Sequence, residues 1–383
     1  MIEDLKLLET VKKPNPYEKF SLLENPFPGY GDVRTDVCTN QQEIKKAFLD
    51  LLGRFGPGAK RLRITGESGA GKTNILRYFE RLTEEARLRG LIGAIYPIYI
   101  SAPGERYSTI HAQIVERLQE IFFTDLINTL RAQPDLKEAL SEIKPAAEFL
   151  EALGPLTQRH MLFDPYEERR INALVRWLKG YKLPAQEKKF LGGPLSELNS
   201  TSLAIRFLDG LLQVLKRVEL CEGVVLLFDE FEEIFEKGRL SRTQQSQYAQ
   251  DLRHLFDTLQ DMVLFVVATT PNPEDLGQYP AIERRLGQPL SLQPIDSEEM
   301  AIAYVRDYMR AGRERYLQRK REEGEMIPDL EPLDDLRPLD EHTVIQEYRK
   351  LKEEAEKAGK RVLPGYFLPR MRQRMQEVVE RDL

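Results

Sequence analysis

The chain has 383 residues, 41% hydrophobic and 31% charged, with 24 glycines and 23 prolines. That length suggests two or three structural units with ample core, and the Gly and Pro counts exclude collagen-like and low-complexity classes. The 56 basic and 62 acidic residues leave a net charge of −6, which neither requires nucleic acid nor excludes it, because a basic face can sit on an acidic whole.

Residues 1–40 are rich in Pro and polar groups around Asn25-Pro26-Phe27-Pro28-Gly29-Tyr30 and read as an N-terminal arm lying on the domain that follows. Ile44, Phe48, Leu51 and Leu52 recur at helical spacing and predict a helix over Gln41 to Phe55. An alternation of strand and helix follows. Strands are expected at Arg61–Thr65, Ala94–Ser101, Val224–Phe228 and Leu264–Ala268, and helices at Lys72–Arg87, Tyr107–Leu130, Leu203–Val218 and Gln244–Leu259. Strands without a polar face, separated by helices, indicate an α/β fold: a parallel sheet with helices on both faces. Residues 131–200 interrupt this pattern as a helical insertion that includes Glu167 to Lys179 around the single tryptophan, Trp177. The core is expected over 41–299. A helical lid with a charged insertion is expected over 300–383, where Arg310–Arg321 is basic and Asp329–Glu341 acidic.

Cys38 and Cys221 have neither disulfide-framework nor C-x-x-C spacing, and the four histidines form no cluster. The start, MIEDLKLLETVKK, lacks the apolar core of a signal peptide, and no stretch approaches the roughly 18 apolar residues of a membrane span. A soluble cytoplasmic protein with reduced thiols and no membrane partner is the expectation.

Gly66-Glu67-Ser68-Gly69-Ala70-Gly71-Lys72-Thr73 fits G-x-x-x-x-G-K-[ST], between a predicted strand and a predicted helix. Glycines let backbone N–H groups approach and surround a phosphate, and the helix N-terminus adds partial positive charge. Lys72 is placed to reach the β- and γ-phosphates, and Thr73 to ligate Mg²⁺. The apolar run Val224–Phe228 then ends in Asp229-Glu230. A carboxylate there sits where open α/β sheets bind ligands. Asp229 is the second metal ligand, through water, and Glu230 the group that orients or deprotonates the attacking water.

These motifs resemble the AAA+ P-loop ATPases, specifically the clade of origin-recognition, replication-initiator and transposition-regulator ATPases, over about residues 25 to 300 with a lid to the end. The resemblance implies an Mg²⁺-dependent ATPase that binds ATP and works as a homo-oligomer. It also implies a polar sensor on the strand after the DE pair: Thr270, with Thr269 and Asn272 close behind. It implies an arginine finger in Tyr279–Leu286, either Arg284 or Arg285, acting in cis or in trans. A guanidinium suits that role because it neutralises charge spread over several phosphoryl oxygens. The family's lid arginine falls in a Gly-x-Pro-Arg context. Here Gly365 and Pro369 are separated by three residues, and Arg370 is the candidate. Asn25-Pro26-Phe27 resembles the arm that packs on adenine in these ATPases.

A second resemblance joins Arg176-Trp177-Leu178-Lys179-Gly180, Leu191-Gly192-Gly193 and the DEFE stretch from Asp229 to ATP-binding proteins of BREX-type phage-defence systems. It implies a setting in phage defence or mobile-element biology. No winged-helix segment is read after the lid, so DNA contact is expected from the body, the insertion, or the basic segments Arg310–Arg321 and Arg370–Arg374. Such contact goes mainly to phosphates and is salt-dependent. The leading expectation is an ATP-hydrolysing module coupling nucleotide state to assembly on DNA or a partner protein. A slow nucleotide-dependent switch or scaffold that recruits a separately encoded effector is the alternative, and a small-molecule kinase is a third.

Overall fold

The computed structural model describes residues 15–157, 166–191, 198, 200–235, 240–271, 276–325 and 332–381. The first 14 residues of the arm, Gly192, Gly193, Asn272 and residues 329–331 of the acidic stretch lie outside the described residues.

The chain divides into two compact units. The larger comprises 42–67 and 79–291. It is built on a sheet of β1 (Lys60–Thr65), β2 (Ile95–Ile100), β3 (Gly223–Phe228), β4 (Val263–Thr269) and β5 (Pro289–Ser291). The strand order is β2-β3-β4-β1-β5, and every neighbouring pair is parallel. Every residue of β3 and β4 is buried, the burial that their unbroken apolar runs require in a sheet covered on both faces. β5 is the strand the sequence pattern did not predict: its three residues carry no apolar run and two are exposed.

Helix α1 (Gln42–Gly53) precedes β1, and helices α2 (Lys72–Leu88), α3 (Tyr107–Ala132), α4 (Pro134–Leu140), α5 (Lys144–Leu153), α6 (Glu167–Leu178), α7 (Ala185–Phe190), α8 (Thr201–Arg217), α9 (Arg242–Thr258) and α10 (Pro280–Leu286) fill the connections. Helix α3 presents Ile110, Ile114, Leu118, Phe122 and Leu126 at four-residue spacing, all buried. Helices α4 to α7 supply the predicted helical insertion, and Phe149, Leu153, Leu174 and Trp177 join the same core as the sheet. Trp177 meets Phe207 of α8 edge-on, with ring centroids 5.2 Å apart. The only tryptophan is thus a core residue that docks the insertion on α8. Ser241 starts α9 with a reciprocal capping box to Gln244, an arrangement worth about 1 kcal/mol.

The second unit comprises 1–41, 68–78 and 292–383. Its long helices are α11 (Glu298–Glu322), α12 (Glu341–Lys357) and α13 (Pro364–Arg381). Leu22, Phe27 and Val37 of the arm are buried in one cluster with Tyr308, Met309, Tyr348, Phe367 and Met371. Backbone and side chain interlock there: Asn25 Nδ2 donates to Arg372 O at 2.9 Å, and Arg372 donates to Phe27 O at 2.7 Å. Gly312 of α11 lies so close to the arm that a Cβ would fall 2.8 Å from Leu22 Cδ2. Arg313, 5% exposed, donates to the carbonyls of Phe20, Leu333, Asp335 and Arg337. One guanidinium therefore ties separate stretches of backbone together in a place where water is scarce.

His111 joins α3 to the insertion. Its Nε2 lies 2.6 Å from Leu178 O, so that nitrogen carries the proton and donates. Nδ1 is buried without a partner. Burial holds the imidazole down at about 4, against the weaker opposing effect of the Leu178 carbonyl. Below the unfolded value of about 6.5 the unfolded chain takes up a proton that the folded chain refuses until about 4, so stability present at neutral pH is lost as pH falls across that window. Urea unfolding of the wild type should lose about 2 kcal/mol more between pH 7.5 and pH 5 than His111→Gln does. Parallel pH slopes for the two proteins would refute the assignment.

Candidate functional site

In a parallel sheet every strand ends at the same edge. At that edge Thr65 pairs with Thr269, Phe228 with Val267, and Ile100 with Phe228. Three of the motifs singled out by sequence leave the sheet there: Gly66-Glu67 after β1, Asp229-Glu230 after β3 and Thr270 after β4. Gly66 N donates to Thr269 O at 3.1 Å, carrying the ladder one residue past β1. β4 lies between β1 and β3.

Asp229 is 3% exposed, and both its oxygens are engaged. Tyr99 Oη of β2 donates to Oδ2 at 2.7 Å, and Glu230 N–H donates to Oδ1 at 3.0 Å. These bonds fix the plane of a buried carboxylate, which burial alone would penalise. Tyr99 was missed by sequence reasoning. Its partner is 130 residues away, and nothing in Ile95-Tyr96-Pro97-Ile98-Tyr99-Ile100 distinguishes it from Tyr96.

Glu230 departs from the strand sharply. Its φ of +50° is a left-handed conformation for a residue with a Cβ, at a cost of about 1 kcal/mol. The turn separates the two acids: Asp229 stays inside while Glu230 is exposed. Partial desolvation of the Glu230 carboxyl, followed by the Glu233 carboxyl and the charges of Asp229 and Glu232, raises it above the ordinary carboxylate range. Thr269 is fully buried and accepts from Arg63 Nε at 3.4 Å, whereas Thr270 stands just beyond the strand and is half-buried.

The arginines of α10 differ in their partners. Arg285 binds Asp257 of α9 through two bonds of 2.7 Å and donates to Ala281 O at 2.8 Å. The Arg285 guanidinium holds the Asp257 carboxyl below its usual range. Arg284 is exposed, with a bond from Nε to Pro280 O at 3.2 Å within its own helix.

In the smaller unit, Ser68–Gly71 form the turn that leads into α2. Gly69 and Gly71 have φ of +87° and +97°, conformations that favour glycine over any residue with a side chain. Gly71 O accepts the first helical bond, from Ile75 N at 3.0 Å, so Lys72 and Thr73 open the helix. The N–H groups of an opening turn point along the axis and favour an anion. Asn74 binds the arm on both sides of its amide, accepting from Arg34 N at 3.0 Å and donating to Val37 O at 2.8 Å.

Arg370 of α13 is paired with Glu354 of α12. The two basic segments considered for DNA are also engaged internally. Arg310 faces Asp307 and Asp334, Arg315 meets Asp36, Arg319 meets Glu323, and Lys320 meets Glu18 and Glu325. Arg374 binds Glu377. Phosphates approaching these segments compete with carboxylates already in place, although exposed pairs of this kind exchange at small cost.

No family model matches the chain, and no curated protein sequence does. Among solved structures the chain is similar to the ORC2 protein of Aeropyrum pernix in its ADPNP–ADP complexes, at 15% identity and a TM-score of 0.41, covering 91% of this chain and 70% of that one. The ADP form of the same protein aligns at 15% identity and a TM-score of 0.40 with the same coverage. No helix among the described residues is long and apolar enough to cross a membrane.

The two arginines of α10 are separable by stability. Arg285→Ala should lower the unfolding free energy by about 1 kcal/mol, the pair being partly screened, while Arg284→Ala should change it by no more than about 0.5 kcal/mol. Equal losses in urea titrations of the two variants would contradict the difference in their partners.

Proposed function

We propose that the chain is an ATP-binding and ATP-hydrolysing AAA+ module of the origin-recognition and initiator-like kind, whose nucleotide state controls its assembly on DNA or on a partner protein. One observation carries this reading: the strand that leads into the glycine-rich loop and the strand that ends in Asp229-Glu230 finish at the same edge of one parallel sheet. A phosphate loop that follows one strand of such a sheet and an acidic pair that ends another are the two halves of phosphoryl-transfer machinery.

In this reading the backbone from Gly66 to Thr73 surrounds the phosphates and Lys72 sets its charge against the β- and γ-phosphoryl oxygens. Thr73 contributes its hydroxyl, and Asp229 its doubly anchored carboxylate, to Mg²⁺. Among the described residues no three His, Cys, Asp or Glu side chains form a metal-holding group. The donor set offered is therefore hydroxyl and carboxylate oxygen, to be completed by phosphate and water, which suits the hard, water-retaining Mg²⁺ ion. When bound, that ion would neutralise charge developing on the phosphoryl oxygens. Glu230, turned outward by its left-handed backbone, orients the attacking water and takes its proton. The new P–O bond forms as the bond from the γ-phosphorus to the ADP oxygen breaks. Thr270 senses the γ-phosphate. Arg284 is preferred over Arg285 as the finger, because Arg285 is already held by Asp257 and Arg284 is exposed. A finger acting on a neighbouring copy makes the active form a homo-oligomer.

Lys72→Ala should weaken ATP binding by about ten-fold or more. Glu230→Gln should bind ATP but lose about 10²-fold or more in turnover. Equal turnover by Glu230→Gln and wild type would remove Glu230 from its role. Turnover per subunit of the wild type should rise with protein concentration and with double-stranded DNA. A low rate indifferent to both would favour a switch or scaffold over an assembling ATPase. Arg284→Ala should abolish the concentration-dependent part of the rate and leave the unfolding midpoint unchanged.

A further inference from the structure

The first turn of α13 touches the phosphate loop through a pair of glycines. Gly365 N donates to Gly69 O at 2.9 Å. A Cβ at Gly365 would fall 2.8 Å from Gly69 O and 2.9 Å from Gly69 Cα, backbone atoms that cannot swing aside. Beside this contact, the Tyr366 ring lies 3.5 Å from the Cβ position of Gly69. Arg370 stands further along the same helix and is bound to Glu354.

A trans peptide is planar, with its C=O and the following N–H pointing in opposite directions. The peptide joining Gly69 to Ala70 is trans. Turning Gly69 O toward Gly365 therefore turns the Ala70 N–H the other way, away from α13. Left alone, a loop residue at φ +87° flanked by small side chains has many orientations available to this peptide. The bond from Gly365 selects one.

We propose that Gly365 is a positioning residue for the phosphate loop. By binding Gly69 O it holds the Ala70 N–H in its phosphate-facing orientation before nucleotide arrives, with Tyr366 backing the loop. Position 365 must then be glycine for reasons of approach rather than of helix conformation. The inference rests on the proposed nucleotide-binding reading.

Helix propensity and approach predict opposite results for Gly365→Ala. Alanine favours a helix over glycine, so if the residue serves only α13 the variant should be as stable as wild type or more so, with unchanged affinity. If Gly365 positions the loop, affinity for Mg·ADP measured by isothermal titration should fall about ten-fold or more while the unfolding midpoint holds or rises. Wild-type affinity in Gly365→Ala, in a protein whose binding still depends on Lys72, would overturn the inference and leave the nucleotide reading standing. Wild-type protein that fails to bind Mg·ADP, or binds it equally as Lys72→Ala, would overturn that reading and this inference with it. Should Gly365→Ala fail to fold, amide hydrogen exchange on the wild type decides. The Gly365 amide should be protected with and without Mg·ADP, and the Ala70 amide should gain protection on its addition. Exchange at open-amide rates at either position in the Mg·ADP complex would refute the inference.

Discussion

The constraint on which the larger unit depends is the complete burial of β3 and β4 in an all-parallel sheet. Burial on both faces excludes polar side chains along the strands, so chemistry can be placed only where strands end. Parallel pairing then puts all those ends at one edge. Gly66-Glu67, Asp229-Glu230 and Thr270 are brought there together because each follows directly on a strand of that sheet. The same constraint makes their position hard to lose. Shifting β3 by one residue against β2 and β4 would drag Asp229 into the ladder without the Tyr99 hydroxyl that now satisfies it.

Two neighbouring acids acquire different characters from one backbone torsion. Continuing the extended strand would have directed Asp229 and Glu230 to opposite faces of the sheet, one of them into an apolar layer. The left-handed turn at Glu230 avoids this by lifting its side chain out while its N–H folds back onto Asp229. Asp229 is left buried, fixed and suited to holding charge in place. Glu230 is left exposed among other carboxyls, with a raised affinity for a proton. The strain of the turn is local, and the Glu230 N–H bond to Asp229 partly offsets it.

Legibility from sequence followed the range of the interactions. The apolar runs of β3 and β4 and the four-residue spacing of α3 are local, and the observed elements lie within a residue or two of the expected ones. The three residues of β5 escaped notice because their place is set by pairing with Arg63–Thr65, more than 200 residues earlier. Arg284 and Arg285 are indistinguishable as letters. Only the position of Asp257 on another helix separates them. Arg310–Arg321 reads as a basic surface until Asp36, Asp334, Glu18 and Glu325 are seen against it. The partners of the arm, in helices near the other end of the chain, had no signature in its Pro-rich composition either.

The glycines show why composition and motif are different kinds of information. Gly69 and Gly71 belong to a recognisable pattern, and their positive φ angles supply the reason. Gly312 and Gly365 sit within helices, where propensity alone would count each as a defect. Both are explained by what passes beside them: Leu22 and Pro26 of the arm at Gly312, and the backbone of Gly69 at Gly365. A side chain at Gly312 would press on the side chains of Leu22 and Pro26, and one at Gly365 on the backbone of Gly69. For Gly312 the partner is an apolar segment, so the consequence is structural. For Gly365 the partner is the backbone of the glycine-rich loop, and the consequence extends to the orientation of the peptide that joins Gly69 to Ala70.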